Sequence, residues 1–227
     1  MWYANNLMCN ITLKRLMLAA MLSFSATLAA ADDAVDFFRA AQLDNPTGIK
    51  QVLAAGLSPN LHEPNNGETG LIVALRYDGM KVVNLLLAQP TIDLEARANN
   101  GNTALMMASF RENMPAVQAL LAHGAHVNQS GWTALHYAAA AGADDIIALL
   151  LDRHAVIDAE SPSGMTPLMM AAREGQESSV AMLLERGADS ARQDRGFHRT
   201  AAEFATAADK PWIAQQILAF QASHPQR

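Results

Sequence analysis

The chain has 227 residues, of which 51% are hydrophobic and 17% are charged, and this balance excludes the polar bias of a disordered protein. Aromatic residues make up only 6% and β-branched runs are scarce, which favours helices over sheets and predicts the all-α class. The formal net charge is −6, and the absence of a basic cluster argues against a nucleic-acid partner.

The first 31 residues are typical of a secretory leader. Two adjacent cations precede an apolar stretch at 16–30, and Ala29 and Ala31 occupy the −3 and −1 positions of a cleavage site. The apolar stretch is shorter than the roughly 20 residues that cross a bilayer. The sequence therefore predicts a signal peptide at 1–31 and a single domain at 32–227, with no stable membrane insertion after cleavage. An uncleaved anchor is the alternative.

Cys9 is the only cysteine, and it precedes the apolar stretch, whereas a lipid-attachment cysteine would follow it directly. After cleavage the domain would have neither thiol nor disulfide, and packing alone would hold it together in an oxidising compartment. We therefore expect an exported bacterial protein of the periplasm. Secretion from the cell is the second choice.

The decisive signal is a segment that recurs along the chain. Its copies are GETGLIVAL at Gly67, GNTALMMAS at Gly101, GWTALHYAA at Gly131, GMTPLMMAA at Gly164 and the degraded GFHRTAAEFA at Gly196. Their threonines are 34, 30, 33 and 34 residues apart, and a second apolar helical pattern follows each of the first four copies. The chain resembles the ankyrin-repeat family, whose period of 33 residues and T-P-L-H-x-A signature these copies match.

The resemblance implies an all-α solenoid of about six helix-turn-helix units with short hairpin-like loops. The expected units are an N-terminal cap at 34–66, repeats at 67–100, 101–130, 131–163 and 164–195, and a C-terminal cap repeat at 196–225. Both caps depart from the signature because a terminal unit lacks a neighbour on one side.

Particular residues are expected to define each unit. Threonine hydroxyls would cap the first helices, glycines would end the second helices in a left-handed conformation, and alanines would set the distance between adjacent first helices. These positions are Thr69, Thr103, Thr133 and Thr166; Gly56, Gly124 and Gly187; and Ala74, Ala108, Ala138, Ala171 and Ala205. Three departures occur: Pro90 and His154 replace the expected glycine, and the loop around Gln129 is three residues short and predicted to be stunted.

The resemblance also implies a concave face of loop tips and first helices to which partner proteins bind. Carried onto this sequence, the candidate contacts are Glu68, Arg76, Tyr77, Asn102, Phe110, Arg111, Trp132, Met165, Arg173 and Glu174, with Ala140 and Ala141 at the equivalent positions of one repeat. Aromatic residues and Arg are enriched at interfaces, so we expect an aromatic patch ringed by cations that suits an acidic partner. In the alternative, the arginines only solvate helix ends and Trp132 packs on its own loop.

Nothing in the sequence indicates an enzyme, a cofactor or a metal site. The seven histidines lack ligand spacing, and there is no nucleophile elbow or phosphate loop. His136 occupies the histidine position of the signature, where a structural role is expected. The Met106–Met107 and Met169–Met170 pairs are expected to fill the core between repeats, although thioethers also bind Cu(I).

These observations predict a monomeric scaffold or adaptor that binds a partner protein of unidentified type. A soft-metal or oxidative-stress protein that uses the methionine pairs, and a secreted effector that binds host proteins, are the alternatives.

Overall fold

A computed structural model of the chain describes residues 32–224. The predicted signal peptide, on which the export prediction depends, lies outside the described residues, as do the last three residues. None of the described helices is both long enough and apolar enough to span a bilayer.

The described residues form twelve helices in six consecutive pairs, which we number as repeats 1 to 6 and which confirm the all-α solenoid. The helices are α1 (32–42), α2 (Pro46–Ala54), α3 (Gly70–Arg76), α4 (Met80–Leu87), α5 (Ala104–Phe110), α6 (Met114–Ala122), α7 (Ala134–Ala141), α8 (Asp144–Asp152), α9 (Pro167–Glu174), α10 (Glu177–Glu185), α11 (Ala201–Ala207) and α12 (Pro211–Ser223).

The helices pack in two layers. The first helices α3, α5, α7, α9 and α11 contact one another in chain order, and the second helices α2, α4, α6, α8, α10 and α12 do the same. Each repeat therefore buries its apolar face against its neighbours, as stacked repeats must. At the N-terminal end, the Phe37 ring occupies the space where a side chain at Gly70 would lie, since a Cβ there would come within 2.4 Å of the ring.

The small residues lie where the pattern places them. Ala74, Ala108, Ala138, Ala171 and Ala205 are completely buried. A larger side chain at these positions would force adjacent first helices apart, because a packed interior has no room for added methylenes. The predicted role of these alanines in stacking is confirmed.

The threonine caps are confirmed at Thr69, Thr103 and Thr166. The hydroxyl oxygens of Thr69, Thr103 and Thr166 accept hydrogen bonds from the backbone N–H three residues on, at 3.3, 3.5 and 3.3 Å. At Thr133 the backbone N–H donates to Nδ1 of His136 at 3.2 Å, and the hydroxyl lies 2.9 Å from the same atom. These bonds satisfy N–H groups that the helix itself leaves free.

The second helices end as predicted at three glycines: Gly56, Gly124 and Gly187 have φ of 97°, 92° and 97°. His154, which replaces glycine in repeat 4, adopts the same left-handed conformation with φ of 63°. In repeat 2, by contrast, α4 ends at Leu87, its C-cap residue Ala88 has an ordinary φ of −75°, and the chain then turns at Pro90.

The loops before the first helices are hairpin-like. Backbone hydrogen bonds from Ala98 to Asn102 and from Ser161 to Met165, both 2.9 Å, close two of them. The shorter loop of repeat 4 is tied to its neighbour by side chains instead, because Gln129 is hydrogen-bonded to both Glu95 and Arg97 in the loop of repeat 3.

Candidate partner-binding surface

The predicted contact residues fall into two groups by exposure. Tyr77 and Phe110 are 55% and 51% exposed, and Arg76, Arg111 and Glu174 are also exposed, whereas Trp132 and Arg173 are half-buried. The remaining three, Glu68, Asn102 and Met165, are buried. Each of these three residues directly precedes a capping threonine. Their side chains lie beneath the exposed surface and do not project from it.

Three aromatic side chains from repeats 3 and 4 form one cluster, which we call the aromatic cluster (Phe110, Trp132 and Tyr137). The rings of Phe110 and Tyr137 meet edge to face with centroids 6.1 Å apart, and those of Trp132 and Tyr137 are 6.3 Å apart. The Trp132 ring also packs edge to face on His136 at 5.2 Å. Both ring contacts of Trp132 are therefore with side chains of its own repeat, and Tyr137 links it to Phe110 of repeat 3.

A small cavity of about 200 Å³ opens beside the aromatic cluster, between repeats 4 and 5. We call it the Trp132 cavity; its lining is Trp132, His136, Tyr137, Met165, Met170 and Arg173. Sites for drug-sized ligands usually measure about 300–1,000 Å³, so this cavity suits a single apolar side chain.

His136 holds one wall of the Trp132 cavity in place. The buried ring donates from Nε2 to the carbonyl oxygen of Met165 at 2.9 Å and accepts at Nδ1 from Thr133. Burial lowers the pKa of His136 to about 4, because removal from water disfavours the charged form. The neutral ring therefore ties repeat 4 to repeat 5, which confirms the expected structural role.

Whereas His136 joins repeat 4 to the following repeat, Tyr137 joins repeat 4 to the preceding one, repeat 3. Its hydroxyl donates a 2.5 Å hydrogen bond to Oδ1 of the buried Asn102. Burial raises the pKa of Tyr137, although the bond to Asn102 acts to lower it.

A second, polar cavity of about 320 Å³ lies between the loops of repeats 2 and 3. We call it the asparagine cavity; its lining is Asn65, Asn66, Glu68, Arg76, Asn99 and Asn100. The backbone N–H of Asn99 donates to the carbonyl of Asn66 at 2.8 Å, so the two loops are held at a fixed separation.

The arginines of this surface are all paired with carboxylates. Arg76 pairs with the buried Glu68 in its own repeat. Arg111 pairs with Asp78 of the preceding repeat at 2.6 Å, and Arg173 pairs with the adjacent Glu174 at 2.8 Å. The arginines expected to ring the aromatic patch are therefore members of ion pairs, because each guanidinium has a carboxylate within reach.

The paired methionines belong to the core. Met106, Met107, Met169 and Met170 are all buried, and α7 packs between the helices that carry the two pairs. Their predicted packing role is confirmed. Among residues 32–224, no group of three or more His, Cys, Asp or Glu side chains is arranged to hold a metal ion.

The sequence prediction missed several residues of this surface. Tyr137 lies inside the signature rather than at a position that varies between repeats, and the sequence predicts that Met170 fills the core or binds Cu(I), not that it lines a surface cavity. Asn65, Asn66, Asn99 and Asn100 lie in loops at matching offsets before Thr69 and Thr103, and this repeated asparagine pair was the signal that could have revealed the polar cavity.

A family model described as ankyrin repeats (3 copies) matches residues 37–130 and 126–194. Together these segments cover well over half of the chain, and the protein belongs to the ankyrin-repeat family. Ankyrin repeats are protein–protein interaction modules and are typically not enzymes. Among curated proteins, none matches the chain.

Proposed function

We propose that this protein is a periplasmic scaffold or adaptor, monomeric on its own, that binds a partner protein through the surface that carries the aromatic cluster. The observation that supports this most directly is the exposure of Phe110 beside the Trp132 cavity. Large aromatic side chains next to a small apolar cavity are typical of the residues that dominate binding energy at interfaces.

The ion pairs revise the expected chemistry of the partner. A surface on which Arg76, Arg111 and Arg173 are each neutralised creates no strong positive field, so it does not select an acidic partner by long-range attraction. Recognition would depend instead on shape and on apolar contact at the aromatic cluster.

Site-specific photo-crosslinking tests the surface assignment. A photoreactive residue at Phe110 or Tyr77, both exposed at the ends of first helices, should form a reproducible adduct with one partner protein in intact cells. The same residue at Asn84 or Gln118, which are exposed on second helices, serves as the matched control. Adducts at the control positions with none at Phe110 or Tyr77 would refute this surface.

The proposed location has its own test. Export depends on the leader-like segment at 1–31, so fractionation of cells that express the full chain should recover a shortened form in the periplasm. Recovery of the full-length chain in the cytosol would contradict the periplasmic assignment, and recovery from the medium would favour secretion.

A further inference from the structure

We propose that the segment bound at this surface is an extended, uncharged stretch of the partner chain that places one apolar side chain in the Trp132 cavity and its backbone amides over the asparagine cavity. This inference rests on the proposed function and specifies what kind of partner the surface takes.

The size and lining of the Trp132 cavity support the apolar anchor. A volume of about 200 Å³ between Trp132, Tyr137, Met165 and Met170 accommodates one side chain of the size of Leu, Met or Phe. The thioether of Met170 and the aromatic rings are adaptable, polarisable contacts for such a side chain. An amphipathic helix would present several anchors along a ridge, and this cavity accepts only one.

The asparagine cavity supports an extended backbone. Side-chain amides can donate to and accept from the peptide groups of a bound chain, and Asn65, Asn66 and Asn100 are exposed in the cavity that their loops form. The Oδ1 atom of Asn100 accepts a hydrogen bond from the backbone N–H of Asn102 at 3.0 Å. This bond orients the side chain of Asn100 so that its NH2 group can act as a donor to a bound chain. A helix would have its own backbone groups satisfied internally, whereas an extended segment needs such partners.

Charge argues for an uncharged occupant. The only charged side chains of the asparagine cavity, Glu68 and Arg76, neutralise each other, and at the Trp132 cavity Arg173 is neutralised by Glu174. An unpaired charge on the bound segment would lose its hydration without gaining a free counter-ion.

The separation of the two cavities sets the length of the segment. The asparagine cavity lies between repeats 2 and 3 and the Trp132 cavity between repeats 4 and 5, so the centres are two repeats apart. At about 8–10 Å per stacked helix, this distance is about 20 Å, which an extended chain covers in about six residues. The Asn102–Tyr137 bond lies between the two cavities and keeps their separation fixed.

Selection from a library of random 12-residue linear peptides displayed on phage, with the full chain as the target, tests this inference. Enriched peptides should share one Leu, Met or Phe within an uncharged stretch and should show no helical circular dichroism when free. By fluorescence anisotropy, Trp132→Ala should weaken their binding about tenfold or more, while Trp212→Ala, which truncates an exposed tryptophan on α12, should leave it within about twofold.

A second pair of variants tests the polar cavity without touching the core. Asn66→Asp together with Asn100→Asp should weaken binding about threefold or more, because each change replaces an amide donor by a carboxylate in the cavity that already holds Glu68. Asn84→Asp, the same change at an exposed site on α4, is the matched control and should have no effect.

Three outcomes would overturn the inference: no enriched peptide, enriched peptides that are charged or helical, or binding that is unchanged by both sets of variants. The photo-crosslinking experiment separates this failure from failure of the proposed function. An adduct at Phe110 without any selected peptide would mean that the surface binds a folded partner surface, and the proposed function would stand while this inference fell.

Discussion

The hydroxyl of Tyr137 lies 2.5 Å from Oδ1 of Asn102, and this hydrogen bond joins the helix of one repeat to the loop of the preceding repeat. Asn102 is buried, so its amide oxygen has no bulk water as a substitute partner. The bond therefore contributes both to the stacking of repeats 3 and 4 and to the position of the aromatic cluster.

Removal of this hydroxyl should be costly. Tyr137→Phe leaves the Asn102 oxygen buried without its donor, and we expect a loss of about 1–3 kcal/mol in the free energy of unfolding, measured by urea denaturation followed by circular dichroism. Tyr77→Phe removes a hydroxyl from an exposed side chain and should change stability by less than about 0.5 kcal/mol. Equal effects of the two changes would contradict the assigned role of the Tyr137 bond.

His136 should make stability depend on pH in mildly acidic solution. Its pKa is about 4 in the folded chain, compared with 6.5 for an ordinary histidine, so the unfolded chain binds a proton more readily. The stabilisation is fully present above pH 6.5 and is lost as the pH falls toward 4; the maximum loss is about 3 kcal/mol. Urea denaturation at a series of pH values should show this loss in the original chain and not in His136→Gln.

The matched control for this prediction is His62→Gln, which alters an exposed histidine and should retain the pH dependence. If His136→Gln does not fold, titration of the ring protons by NMR measures the pKa of His136 in the original chain directly. A measured pKa above 6 would contradict the assignment of a neutral buried ring.

Two glycines with similar backbone conformations should respond differently to alanine. Gly164 and Gly124 have φ of 79° and 92°, so either substitution strains the backbone by about 1–2 kcal/mol. At Gly164 the new Cβ would also lie 2.9 Å from the backbone nitrogen of Arg195, whereas at Gly124 it meets open space. We therefore expect Gly164→Ala to lower the melting temperature more than Gly124→Ala, and the reverse order would contradict the loop packing.

Asp194 organises the loop before the last repeat. Its buried carboxylate accepts hydrogen bonds from the backbone N–H groups of Gly196, Phe197 and Arg199 at 3.0, 3.0 and 2.8 Å. Burial acts to raise the pKa of Asp194, but these donors, chiefly Arg199, lower it below its usual value of 3.8. Its stabilisation is therefore present above pH 3.8 and is lost as the pH falls below that value.

Asp194→Ala should lower the free energy of unfolding at neutral pH by about 1–3 kcal/mol, because it leaves these three donors without their acceptor. The comparison is Asp152→Ala, which removes one partner of an exposed ion pair and should cost no more than about 1 kcal/mol. A loss at Asp194 no larger than that at Asp152, by urea denaturation, would show that the loop does not depend on this carboxylate.

Most of the fold could be predicted from the sequence because ankyrin packing is local. Each repeat contacts only its neighbours, so the same residues recur at the same offsets, as at Ala108 and Ala138. The capping bonds of Thr69 and Thr166 span three residues, and their geometry follows from the helix itself. Even the left-handed conformation of His154 could be predicted from the position that it shares with Gly124 and Gly187.

The candidate surface was less predictable, since several of its properties depend on pairs of residues from different repeats. The charge of Arg111 is cancelled by Asp78, 33 positions earlier, and no pattern within one repeat indicates that the two side chains meet. The pairing of Arg111 could not be predicted for this reason, whereas Arg76 and Arg173 pair within their own repeats.

The sequence by itself determined the all-α class, the repeat register, the helix caps and the tight contacts between first helices, because these depend on interactions within a turn or between equivalent positions. The tertiary structure alone decided which side chains remain exposed and which are paired. It joined Tyr137 to Asn102 and His136 to Met165, placed Trp132 beside a cavity rather than in a flat patch, and neutralised the arginines. The Arg76–Glu68 and Arg173–Glu174 pairs form within one repeat. The other outcomes depend on the distances between stacked repeats, which bring together side chains about one repeat apart in the chain.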